Sequence, residues 1–202
     1  RWFTAERRKE LPPIVFVTME LKQGFAIVNT DNRAGAKLAV RHLIGAGRQV
    51  IGHITGPLDW WEARERLVGW RETLAAAGLE HSDELLVNGN WSAESGEAGL
   101  RQLLERRPDM DGIFLGNDQM AIGALQAAHR QGYAIPGDLA LVGFDNIPES
   151  RYFWPPLTTV HQGLFEIGRV ALQTIHDAIE NPAQSGERHV TIQPELIVRE
   201  SS

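Results

Sequence analysis

Short, almost uninterrupted apolar runs alternate with amphipathic helical patterns along most of this chain, and no other feature narrows its fold so far. PIVFVTM (Pro13 to Met19), FAIVN (Phe25 to Asn29) and VIGHIT (Val50 to Thr55) are the first such runs, and LLV (Leu85 to Val87), GIFLG, DLALVGF and LTTV (Leu157 to Val160) follow. Between them lie helical stretches. RAGAKLAVRHLIGAG repeats Ala36, Ala39, Leu43 and Ala46 at helical spacing behind a cap at Asp31–Asn32. Further helices are predicted from about Trp61 to Ala77, from Ser92 to Arg106 behind a serine cap, over NDQMAIGALQAAHRQG up to Gly132, and from Leu164 to Ile179. Apolar runs of this kind read as strands buried on both faces, so the predicted class is α/β with parallel sheet covered on both sides. The final run, VTIQPELIVRE, is one or two strands, because Pro194 forces a break or an edge position.

In an open parallel sheet, ligands bind beyond the carboxyl ends of the strands, where the loops converge. That rule sorts the polar residues. Gly56 to Arg66 follows VIGHIT, Trp91 follows LLVNGN, Asn117 follows IFLG, Asp145 follows LALVGF and Gln162 follows LTTVH, all on one rim. Asp and Asn exchange hydrogen bonds with vicinal hydroxyls, Arg supplies a rigid donor fork, and an indole stacks on the C–H face of a pyranose. The set suits a small sugar. Plainer readings stand beside it: Asn117 and Asp118 as helix caps, Asp145–Asn146 as turn formers, Arg66 as a surface side chain and Trp91 as core.

Composition removes other classes. The net charge of −6 argues against a nucleic-acid grip in this chain alone. The single basic cluster, Arg7, Arg8 and Lys9, reads as a solvated helix face. The absence of cysteine rules out disulfides and thiolate metal sites, and the seven histidines contain no HExxH, so no metal or other cofactor is expected. Asp31, Asp118 and Asp145 could supply paired carboxylates for glycoside hydrolysis, but no spacing selects a pair, and no GxSxG, P-loop or GxGxxG-after-strand motif is present. An enzyme is therefore not expected. No apolar run approaches the length of a membrane span and no signal peptide is visible.

The stretches TDNRAGAKLAVRHLIGAGRQVIGHITG, RERLVGWRETLAAAGL, GNWSAESG, FLGNDQMAIGALQAAHRQGYAIPGDLALVGFDN and PPLTTVHQ, taken in order, resemble the effector-binding core of the lactose repressor family of bacterial transcription regulators. NDQMA, GNWSAESG and PPLTT look like the versions in the family's eponymous member, where the matching residues contact galactosides. The resemblance implies a periplasmic-binding-protein-like fold of two doubly wound parallel-sheet subdomains joined by three crossovers, with the ligand cleft between them. On that analogy residues 1–30 and 162–189 form an incomplete N-terminal subdomain, and residues 31–161 and 190–202 the C-terminal one. It makes Arg66 the effector arginine, Trp91 the stacking ring, and Asn117, Asp145 and Gln162 the hydroxyl-binding residues. Thr18 stands where the family commonly has an acidic residue, and Leu164 where the eponymous member has an aromatic wall, so these two departures leave the identity of the sugar open, galactosides included. The resemblance further implies a cytoplasmic homodimer that binds operator DNA through a helix-turn-helix headpiece missing from this chain. A periplasmic sugar-binding protein of a transport system shares the fold and is the alternative.

Overall fold

The computed structural model describes residues 12–20, 24–181 and 187–202. The basic cluster Arg7 to Lys9 and most of the polar connection after Asn181 lie outside the described residues. The chain divides into two compact units, residues 1–30 with 163–192 and residues 31–162 with 193–202, and it passes from one to the other three times.

The smaller unit holds a three-stranded parallel sheet in the order β1 (Val15–Val17), β2 (Ala26–Thr30), β8 (Arg188–Ile192). Helix α5 (Leu164–Glu180) packs on β1 and β2, with Ile167 and Ala171 buried beside Val28. Pro194 acts as expected: it separates β8 from β9 (Glu195–Ile197), and the two strands belong to different sheets. Pairing of β8 with β2 continues to Ile192, so the last passage between units follows Ile192 rather than preceding residue 190.

The larger unit is built on a six-stranded sheet ordered β4 (Leu86–Asn88), β3 (Ile51–Thr55), β5 (Gly112–Leu115), β6 (Ala140–Asp145), β7 (Thr158–His161), β9. All neighbours are parallel except β7 and β9. Strand order runs outward from β3 to β4 and then returns past β3 to β5, so direction reverses between β3 and β5. Right-handed crossovers then place the helix that follows β3 and the helix that follows β4 on opposite faces. Helices α1 (Asn32–Gly45) and α2 (Trp61–Ala76) pair on one face, and α3 (Ala93–Arg106) and α4 (Asp118–Arg130) on the other. Their apolar stripes enclose a core of Ile51, Ile54, Trp70, Phe114, Leu141 and Phe144, all fully buried.

Local chemistry sets the helix ends. The Asp31 carboxylate accepts from the Ala34 N–H at 2.8 Å, and the Ser92 hydroxyl accepts from Ser95 N–H at 3.3 Å. The first stripe ends at Leu43 rather than Ala46, which lies past the last turn and is exposed. The run at Leu85 forms a strand one residue later than expected, because Asp83–Leu85 closes a 3₁₀ turn.

Candidate functional site

Arg66 lies on the buried side of α2, next to Ala63, Leu67 and Trp70, and is only 4% exposed. Its Nε donates to Asn32 Oδ1 at 2.8 Å, and its Nη1 donates to the Gly116 carbonyl at 2.5 Å. Gly116 follows β5 directly and Arg66 follows β3, so the guanidinium spans the point where strand order reverses. The plane rests on Phe144, with Cζ 3.7 Å from the ring centroid, and Trp91 lies 5.6 Å away. Burial lowers the Arg66 pKa to about 10, opposed by Asp145 and more distant acids, which leaves it cationic at neutral pH. Its nearest carboxylate oxygen, Asp145 Oδ1, stands at 3.7 Å, beyond hydrogen-bond length. Among the described residues Nη2 donates to nothing.

Asp145 ends β6 with φ +112°, and Asn146 follows with φ +54°. Non-glycine residues hold such backbone only where neighbours fix it. Here they do. The Thr159 hydroxyl donates to Asp118 Oδ1 at 2.6 Å and accepts from Asn146 N–H at 3.3 Å. Ile147 N–H donates to Asp118 Oδ2 at 2.9 Å, while Arg199 Nη2 donates to Asn146 Oδ1 at 2.7 Å. Arg199 Nη1 also donates to the Leu157 carbonyl at 2.6 Å. Thus Asp145–Asn146 is a strained corner at the end of β6, held in positive-φ backbone by these bonds. The Asp145 carboxyl accepts from Gln162 Nε2 through Oδ1 at 2.6 Å, and Oδ2 accepts no hydrogen bond from the described residues. Burial raises the Asp145 pKa, against the pull of Arg66 and Gln162. Burial likewise pushes Asp118 up to about 7, against the bonds from Thr159 and Ile147.

Asn117 caps α4: its Oδ1 accepts from Met120 N–H at 2.9 Å, and its Nδ2 donates to the Trp91 carbonyl at 3.2 Å. It therefore ties the loop after β4 to the loop after β5. Trp91 has φ +72°, and its indole lies over Gly56, where an added Cβ would come within 2.1 Å of the ring. Only glycine admits that approach. Trp60 meets Trp91 edge-on, with centroids 6.4 Å apart and planes at 79°.

Five of the residues selected from sequence, Arg66, Trp91, Asn117, Asp145 and Gln162, therefore belong to one strand-end rim in the larger unit. Thr18 and Leu164 belong to the smaller unit. Thr18 is exposed, with φ +51° and its N–H donating to Val28 O at 3.2 Å, and Leu164 opens α5 half exposed. Sequence reasoning did not select Asn32, the Gly116 carbonyl, Phe144, Trp60 or Arg199. Asn32 carried a signal, since only one residue of Asp31–Asn32 can cap, and Asp31 does.

This arrangement offers fixed donors, fixed acceptors and indole surface. Of the three aspartates considered for hydrolysis, Asp31 is spent on a helix cap and both oxygens of Asp118 accept structural hydrogen bonds. No cluster of three or more metal-ligating acids or histidines occurs among the described residues, and no described helix is long and apolar enough to cross a membrane.

Residues 40–202 match the model of the periplasmic binding protein-like domain. The ribose operon repressor of Halalkalibacterium halodurans is 35% identical over 190 residues, 94% of this chain and 56% of that protein. The transcriptional regulator CelR of Thermobifida fusca is 37% identical over 174 residues, 86% of this chain and 51% of that protein. A solved transcriptional regulator CelR–cellobiose complex superposes with a TM-score of 0.89 at 34% identity, over 93% of this chain and 58% of that one. The chain thus spans a little over half the length of the curated relatives it matches.

Proposed function

From the premise that this chain belongs to the periplasmic binding protein-like domain family, as an effector-binding core of the lactose repressor type, we propose that it binds a small neutral sugar and thereby controls operator DNA. One observation carries the reading. Arg66 is buried and charged, pinned by Asn32 and Gly116, and among the described residues its Nη2 has no acceptor and Oδ2 of Asp145, whose other oxygen lies 3.7 Å from Arg66 Nη1, has no donor. A pyranose with vicinal hydroxyls satisfies both groups, one oxygen accepting from Nη2 and the next donating to Asp145. The relatives named as repressors and regulators, one of them in complex with cellobiose, support a regulatory rather than a transport role.

The sugar acts by preferring one of two arrangements of the protein, and it shifts their balance only by its difference in affinity for them. Operator contact, dimer formation and a cytoplasmic location belong to the proposal, as does the absence of turnover. Asn117, Gln162 and Trp91 are assigned to the sugar with Arg66 and Asp145. Thr18 and Leu164 are proposed as selectivity positions on the resemblance alone.

Titration calorimetry on wild type, Arg66→Lys and Arg66→Ala tests the assignment, with cellobiose, lactose, ribose and glucose as probes. Losing hydrogen bonds from a charged donor costs about 1.5–3 kcal/mol, so Arg66→Ala should bind the preferred sugar at least tenfold more weakly. Equal affinity in wild type and both variants sinks the reading.

A further inference from the structure

Trp60 is unexplained by its own helix. It occupies the N-cap of α2, where Ser, Thr, Asp or Asn would accept a hydrogen bond, and its side chain makes no cap bond there. Its indole is 56% exposed, while Trp70 of the same helix is fully buried. An exposed indole at a cap position contributes neither capping nor full burial to the fold.

The backbone that carries Trp60 is nevertheless held. Trp60 N–H donates to the Pro57 carbonyl at 3.0 Å, and Arg64 Nη1 donates to the carbonyls of Leu58 and Asp59, each at 3.0 Å. Those bonds fix the loop after β3, which is the loop that leads into Arg66. On its inner side Trp60 touches the edge of Trp91, and their planes meet at 79°. The two indoles therefore form a corner on the rim.

We infer that Trp60 is a second stacking wall, so that the effector is a neutral saccharide of at least two rings, one on Trp91 and the next on Trp60. The inference rests on the sugar reading of Arg66 and Asp145. A single flat pyranose cannot lie against two planes set nearly at right angles, whereas two rings joined by a glycosidic bond present two faces at an angle. Charge supports neutrality: Asp59 and Glu62 flank Trp60 in sequence and Asp145 faces the rim, so a phosphorylated or acidic sugar meets carboxylates.

The test is calorimetry on the intact gene product, comparing cellobiose, lactose and maltose with glucose, galactose and glucose 6-phosphate in wild type, Trp60→Ala, Trp60→Phe and Arg66→Ala. The expected result is that one disaccharide binds more tightly than either of its monosaccharides or the phosphorylated sugar. Trp60→Ala should lower the disaccharide's affinity about tenfold more than the monosaccharide's, by the size of single aromatic stacking contributions, and Trp60→Phe should recover most of that loss. If Trp60→Ala weakens both classes equally or neither, while Arg66→Ala still abolishes binding, the second wall is wrong and the sugar site stands. If no probe binds, or Arg66→Ala binds as wild type does, both fall together.

Discussion

Replacing Gly123 by alanine should separate the two helices that carry the rim. A Cβ at Gly123 would lie 1.8 Å from the Ala93 carbonyl oxygen and 2.8 Å from Glu97 N, and a Cβ at Gly96 would lie 1.9 Å from Met120 O. The contact is reciprocal, glycine of α4 on backbone of α3 and glycine of α3 on backbone of α4. Normal contact begins near 3.5 Å, so the helices must part by well over an ångström, and a gap of 0.5–1 Å already forfeits about a quarter to a half of the dispersion attraction. Overpacking costs about 1–3 kcal/mol, and here the obstacle is backbone that cannot rotate aside, which places the cost at the upper end. The gain in helix propensity from Gly to Ala returns at most about 1 kcal/mol. The net expectation is a loss of about 2 kcal/mol, read as a lower urea midpoint by circular dichroism. Gly168 in α5 is the control, because a Cβ there meets nothing within 4 Å. Gly168→Ala should raise stability by up to about 1 kcal/mol. Function should follow packing, since α3 starts just after Trp91 and α4 just after Asn117, whose side chain holds the Trp91 carbonyl. A Gly123→Ala protein as stable as Gly168→Ala would refute the reasoning.

Two further outcomes follow from the same network. Arg199→Ala, which releases Asn146 Oδ1 and the Leu157 carbonyl, should weaken sugar binding severalfold by loosening the strained turn at Asp145, and unchanged affinity in calorimetry would show that the turn needs no such support. The pH dependence of stability should carry two opposed contributions. His53, fully buried and stacked on Phe114, stays neutral in the fold down to about pH 3, chiefly through burial, so its contribution is complete above the unfolded value of about 6.5 and is lost as pH falls toward 3. Asp118, raised to about 7, runs the other way, its contribution complete below about pH 4 and lost as pH rises through 7. Asp118→Asn should therefore steepen the acid side, by up to about 1.4 kcal/mol per pH unit between about pH 4 and 6.5. Urea titrations across that range with parallel profiles for wild type and variant would contradict the assignment.

The sheet elements and helices were legible because buried strands and amphipathic helices leave different periods in the chain, and Asp31, Ser92 and Pro194 act locally. Strand order was not legible. GIFLG and LALVGF are equally apolar, and nothing in either run places β3 between β4 and β5. The rim could be sorted from sequence because every member follows a strand, yet what holds it could not. Asn32 meets Arg66 from 34 positions away, and Arg199 meets Asn146 from 53, across crossovers that leave no mark on either residue's neighbours. Arg66 by its residue type reads more readily as a surface side chain, and only its burial on Phe144 decides against that. Trp60 and Trp91 look alike in sequence and differ only in how much of each ring the fold covers.

The most direct test of the central claim is fluorescence anisotropy of the intact gene product on its operator, selected beforehand from a random duplex library, titrated with the saccharide that calorimetry identifies. The account predicts that the saccharide changes operator affinity in wild type and that Arg66→Ala binds the same operator with no response to it. An Arg66→Ala protein whose operator affinity still responds at the same saccharide concentration would contradict the account.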